Sequence, residues 1–145
     1  RRRKAECSDI DIVALPKTVP VKDMFGMITH NERHPGFVNI VNQWEKVKGD
    51  AATGKYTQRL IEGHRLEIAI AHPDNFGNLV LIRTGNADFS HLIMKIVRDR
   101  GFHQTEGFLY RETRLIPIPE EMLYFKTLGI PYIQPENRNA DSFRK

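Results

Sequence analysis

The hydrophobic pattern of this 145-residue chain changes period near its middle, and that change limits the folds open to it. In Arg65-Leu66-Glu67-Ile68-Ala69-Ile70-Ala71 the residues alternate as in a strand, with Leu66, Ile68 and Ile70 facing one way and Arg65, Glu67 and Ala69 the other. His72-Pro73-Asp74 ends that strand, and Phe76-Gly77-Asn78 leads into a half in which apolar residues recur at helical spacing. The expected fold is α+β, a mixed α/β chain: a small antiparallel-rich sheet with flanking helices over residues 1–75, then a small helical unit with a short hairpin over 76–145.

The start of the chain is the second constraint. Asp9-Ile10-Asp11-Ile12-Val13 alternates at strand period directly after the cations Arg1, Arg2, Arg3 and Lys4. A strand sends alternate side chains to one side, so Asp9 and Asp11 converge while Ile10, Ile12 and Val13 are expected to be buried. Two carboxylates side by side beside a basic loop suit hard divalent cations and a phosphate group.

Between these strands, Pro16-Lys17-Thr18-Val19-Pro20 breaks the pattern, since each proline removes a donor and restrains its predecessor. Asp23 to His30 is expected as a short helix, Glu32-Arg33-His34-Pro35-Gly36 as a turn, and Phe37 to Trp44 as a helix end or a strand. Gln43 to Lys48 and Lys55 to Ile61 read as two strands around a glycine-bearing loop. Further on, Leu79 to Arg83 is apolar, and Thr84-Gly85 separates it from a helix that starts near Asp88, carries Leu92, Ile93, Ile96 and Val97, and is capped by Gly101. Phe108 to Tyr110 and Arg114 to Ile116 resemble a hairpin. Pro119-Glu120-Glu121 opens a last helix that Gly129-Ile130-Pro131 ends, and a polar tail is expected after Pro135.

Composition narrows the function classes. The charged share is 28% against 40% hydrophobic, which fits a globular chain with a real core. The net charge of +4 is a mild invitation to polyanions. Cys7 is the single cysteine and cannot form an internal disulfide, and no apolar run approaches the roughly 20 residues of a membrane span, so a cytoplasmic location is the default. The sequence starts at Arg1 without methionine, which suggests a cropped chain.

Metal-assisted phosphoryl transfer draws its carboxylates from more than one strand, and Glu67 is the candidate third acid. A solvated sheet face is the competing reading of Glu67, as a polar strand start is for Asp9 and Asp11. Lys46, Lys48, Lys55 and Arg59 bracket the first hairpin, either as a phosphate-contacting stripe or as a charged surface. The six histidines show no metal-ligand spacing, and neither Ser8 nor Ser90 has the context of a nucleophile.

On these motifs the chain resembles the palm and thumb of the family X DNA polymerases, the group that includes DNA polymerase beta. Arg1-Arg2-Arg3-Lys4-Ala5-Glu6-Cys7-Ser8-Asp9-Ile10-Asp11 falls on the family's Arg-Arg-Gly to Asp-x-Asp segment, and Arg65-Leu66-Glu67 on its third-acid strand. Leu81-Ile82-Arg83-Thr84-Gly85 with Phe89-Ser90 falls on the thumb signature, and Glu120 to Phe125, Leu128 to Ile133 and Pro135 to Arg138 on the closing segment. The resemblance implies a nucleotidyltransferase-type palm over 1–75 and a thumb over 76–145. It implies a metal-dependent, template-directed DNA polymerase of the gap-filling repair type, with Mg²⁺, or the more tolerant Mn²⁺, held by Asp9, Asp11 and Glu67. Arg2, Thr84, Gly85 and Ser90 would bind a deoxynucleoside triphosphate, and Lys48, Lys55 and Arg65 would contact primer-template or gapped DNA. A monomer is expected, in the nucleoid or nucleus where DNA lies. Three departures stand out: Glu67 in place of aspartate, Ile82-Arg83 in place of an aromatic pair, and Ser90 in place of asparagine. The alternatives are a nucleotidyltransferase that uses another acceptor or no template, and a non-catalytic DNA-binding relative.

Overall fold

The computed structural model describes residues 1–144. They form two compact units, Ser8–Ala71 and the segment Arg1–Cys7 together with the chain from His72 onward. The break at 71/72 falls a few residues before the expected 75/76, and Arg1–Cys7 groups with the later unit.

The unit Ser8–Ala71 is built on a four-stranded sheet of β1 (Ile10–Ala14), β4 (Glu45–Gly49), β5 (Tyr56–Ile61) and β6 (His64–Ile70), in the order β1-β6-β5-β4. The β4-β5 and β5-β6 pairs are antiparallel, whereas β1 runs parallel to β6, Ile10 opposite Leu66 and Ile12 opposite Ile68. The chain between β1 and β4 supplies a separate two-stranded ribbon, β2 (Thr18–Lys22) with β3 (Ile28–Arg33), and the helix α1 (Pro35–Asn42). Leu66, Ile68 and Ile70 are buried against Val41 and Ala51, with Phe37, Val38, Trp44 and Ile61 packed around them. These three residues put one face of β6 on the core, and Ala69 on the opposite face is buried as well.

Two expectations change here, and one open reading is decided. Ile10 and Ile12 are 50% and 43% exposed and Val13 is half-buried, because β1 is an edge strand that pairs with β6 alone and reaches the cluster around Val41 with its last residue, Ala14. Asp23–His30 is not a helix: the Asp23 carboxylate accepts from the N–H groups of Phe25 and Met27, both at 2.9 Å, and Gly26 sits at φ +80°, so the segment turns between β2 and β3. Phe37 to Asn42 lie in α1, the helix reading of that segment, and Gln43-Trp44 lead out of it towards β4. Pro35 occupies the first turn, where its missing N–H costs nothing, and His34 Nδ1 accepts from the Gly36 N–H at 3.0 Å.

The second unit carries α2 (Phe76–Thr84), α3 (Ala87–Asp99), the antiparallel meander β7 (Phe102–Thr105), β8 (Phe108–Arg111) and β9 (Arg114–Ile116), and α4 (Glu121–Leu128). A 3-10 turn at Pro135–Asn137 follows. The expected hairpin is present as β8-β9 and gains a third strand in β7. Asn86 Oδ1 caps α3 by accepting from the Phe89 N–H at 2.8 Å, and Phe89, Ile93 and Val97, one turn apart, are buried. They pack with Leu81, Leu109, Ile118, Tyr124, Phe125 and Leu128.

Two glycines fix how α4 joins this core. Gly129 ends α4 at φ +62°, the left-handed conformation that costs glycine little. Gly77 lets α2 touch the start of α4: a Cβ there would lie 2.1 Å from the Glu120 carbonyl carbon. Gly77→Ala should therefore destabilise the protein by at least about 2 kcal/mol, as overpacking against backbone does. Urea unfolding measures this, and a change below about 0.5 kcal/mol would refute the close approach.

Candidate functional site

In the Ser8–Ala71 unit the parallel ladder puts Asp11 directly opposite Glu67, and the antiparallel ladder puts Glu67 directly opposite Gln58. Residues opposite each other share a face, so Gln58, Glu67 and Asp11 form a row across β5, β6 and β1. Burial falls along it: Gln58 is buried, Glu67 half-buried and Asp11 exposed. Gln58 Nε2 donates to Glu67 Oε1 at 3.2 Å. Asp9 lies one residue before β1, exposed, with Ser8 Oγ donating to its Oδ2 at 3.3 Å.

Adjacent carboxylates on neighbouring strands are hard oxygen donors, and their chemistry fits a divalent cation of the Mg²⁺ or Mn²⁺ type. As placed, Asp9 stands apart from the ladder, and among the described residues no group of three or more His, Cys, Asp or Glu is arranged to hold a metal ion. The fit is thus one of donor type and of the Asp11–Glu67 pair.

The cations divide by environment. Lys48 is exposed, its Nζ 5.4 Å from the centre of the Tyr56 ring, and Lys55 and Arg65 are exposed as well. Arg59, read from the sequence as part of the same stripe, is instead 2% exposed. It donates to Thr57 Oγ1 at 3.0 Å, to the Trp44 carbonyl at 3.3 Å and to Asn42 Oδ1 at 3.0 Å. It faces inward and is structural. The β4-β5 loop between Lys48 and Lys55 is shaped by Asp50. The N–H groups of Thr53 and Ala52 hold its carboxyl below the usual carboxylate range.

The second unit gathers the remaining candidates around Glu121. Arg1 donates from both Nη atoms to the two Glu121 oxygens, at 3.0 and 2.8 Å, and its Nη1 also reaches Thr84 Oγ1. Thr84 donates in turn to the Val80 carbonyl. Arg2 is half-buried and donates to the Arg138 carbonyl at 3.2 Å. At the α2-α3 junction a Cβ on Gly85 would meet the Phe89 ring at 2.4 Å, and Ser90 Oγ donates to the Ile82 carbonyl at 3.1 Å. Thr84, Gly85 and Ser90 are thus neighbours, with both hydroxyls turned to local backbone.

Arg138, expected in a polar tail, is fully buried. Its Nη1 donates to Glu121 Oε1 at 2.7 Å and its Nε to the Ile133 carbonyl at 3.0 Å, with the rings of Phe125, Phe89 and Tyr132 centred 5.4–5.7 Å away. The sequence around Arg138 carries no signal of this cation–π environment, because Phe89 and Phe125 are distant in the chain. Burial pushes the Glu121 carboxyl up, and the hydrogen bonds from Arg1 and Arg138 outweigh it, leaving the group below its ordinary value.

Residues 79–139 match the family model of the DNA polymerase beta thumb. Over that stretch the chain is similar to the thumb of the family X DNA polymerases. Rat (Rattus norvegicus) DNA polymerase lambda is 26% identical over 96% of this chain, which spans 27% of that relative's length. Among solved structures, Leishmania infantum polymerase beta, a ternary P/T complex, superposes with a TM-score of 0.64 at 18% identity, covering 96% of this chain and 64% of that one. The mixed α+β architecture is thus that of the polymerase beta fold. Among the described residues no helix is long and apolar enough to cross a membrane.

Because the folded carboxyl of Glu121 lies below its unfolded value of about 4.3, its ion pairs stabilise the fold above that pH and are lost as pH falls through the folded value. Glu121→Gln should lower the melting temperature at pH 7, and the gap from wild type should close on acidification. A gap that stays constant from neutral to about pH 3 would show that the carboxylate charge is not what stabilises.

Proposed function

We propose that this chain is the palm and thumb of a metal-dependent, template-directed DNA polymerase that adds deoxynucleotides to a primer 3′ hydroxyl in short gaps. The observation that carries the reading is the register pair Asp11–Glu67 on one face of the parallel β1-β6 ladder, in a chain whose later half matches a polymerase thumb. Asp9, Asp11 and Glu67 would hold the divalent ions, Mg²⁺ or Mn²⁺. When bound, such ions neutralise phosphate charge and lower the pKa of an attacking hydroxyl.

The chain's own groups would do the rest. Arg2 would pair with nucleotide phosphates, Thr84-Gly85 would line the sugar pocket through their backbone, and Ser90 would lie at the base. The exposed cations Lys48, Lys55 and Arg65 would neutralise the DNA backbone, a contribution that weakens with salt. Catalysis of this kind rests on positioning and charge neutralisation. In this proposal the palm spans 1–75 and the thumb 76–145, the protein acts as a monomer, and its place is where DNA is, the nucleus or nucleoid.

The test is single-nucleotide incorporation on a one-nucleotide-gapped duplex by the natural full-length polypeptide, in Mg²⁺ and separately in Mn²⁺. Asp11→Ala should reduce incorporation by at least about 10²-fold, and Glu67→Asp should raise it by bringing the carboxylate back one methylene. No incorporation in either metal, even with aspartate at position 67, would sink the polymerase reading.

A further inference from the structure

We propose that Gln58 is a latch that holds the Glu67 carboxylate on the β5 side of the sheet and must release it before Glu67 and Asp11 share a divalent ion. The proposal rests on the metal-binding reading above. Because β6 lies between β1 and β5, Glu67 has Asp11 on one flank and Gln58 on the other. The Gln58 amide donates to Glu67 Oε1 at 3.2 Å, from the flank opposite Asp11.

Burial gives the latch its strength. Gln58 is 6% exposed, so its amide has little water to turn to when the carboxylate leaves, and an unmade bond from a buried donor is costly. The arrangement depends on position 67 being glutamate: an aspartate carboxylate ends one methylene short of the Gln58 amide's present partner position. One Glu67 oxygen is thus directed across the sheet to β5. Metal binding here therefore competes with a protein hydrogen bond.

The experiment is Mn²⁺ binding to the full-length protein, followed by electron paramagnetic resonance, for wild type, Gln58→Met, Glu67→Asp and the double variant. Methionine keeps the length and fills the buried site without an N–H donor. Gln58→Met should tighten Mn²⁺ binding about tenfold, equivalent to about 1.4 kcal/mol. In the Glu67→Asp background the same substitution should change binding less than about twofold, the mark of coupling between the two side chains. Thermal melts identify a variant that fails to fold. For that case, the wild-type Gln58 side-chain amide is followed by nitrogen-edited NMR during Mg²⁺ titration, and its resonance should shift as the ion binds. Unchanged or weaker Mn²⁺ binding by a normally folded Gln58→Met, or an amide resonance indifferent to saturating Mg²⁺, overturns the latch. If wild type binds no Mn²⁺, or Asp11→Asn leaves binding unaltered, the metal-binding reading fails and the latch falls with it.

Discussion

The second unit depends on one buried cation and the carboxylate that answers it. Arg138 is fully enclosed by Phe89, Phe125 and Tyr132, and a charge in that position persists only when paired and hydrogen-bonded. Glu121, at the first turn of α4, supplies the pairing and also receives Arg1 and the Tyr132 hydroxyl. A single carboxylate thus ties the segment after the 3-10 turn, helix α4 and the chain start into one network. Thr84, hydrogen-bonded to Arg1, joins the α2-α3 junction to it, so the residues proposed to meet the nucleotide sugar rest on the same ion pairs.

The sheet of the other unit is organised by a gradient rather than by a cluster. From Gln58 through Glu67 to Asp11 the row passes from core to solvent, and each side chain suits its depth: a neutral amide where charge would be costly, a hydrogen-bonded carboxylate midway, an exposed carboxylate at the edge. Glu67 lies on the face of β6 opposite Leu66, Ile68 and Ile70, so it can carry chemistry without disturbing the core they form.

Much of this was legible in the sequence. The strict alternation of Arg65 to Ala71 marked β6 and the facing of Glu67, and the one-turn spacing around Ile93 and Val97 marked α3. What resisted reading depended on partners distant in sequence. Ile10 and Ile12 alternate like buried strand residues, yet nothing local says that β1 lies at an edge. Asp23 has the chemistry of a helix cap, and Gly26 at positive φ turns it into the capping residue of a ribbon turn. Arg59 and Arg138 look like surface cations until the acceptors around them are in place, and Gln58 gained meaning only from its register with Glu67.

The parallel pairing of β1 with β6 also bears on the order in which this protein comes together. The β4-β5-β6 meander closes through short connections, whereas joining Asp11 to Glu67 requires the ends of a stretch of more than fifty residues to meet. Closure of so long a loop is entropically slower than hairpin formation, and β1, held along one side only, adds little to the sheet before it docks. Assembly of the acidic pair is accordingly expected late in folding, and fraying of β1 would dismantle it while the β4-β5-β6 meander stays intact.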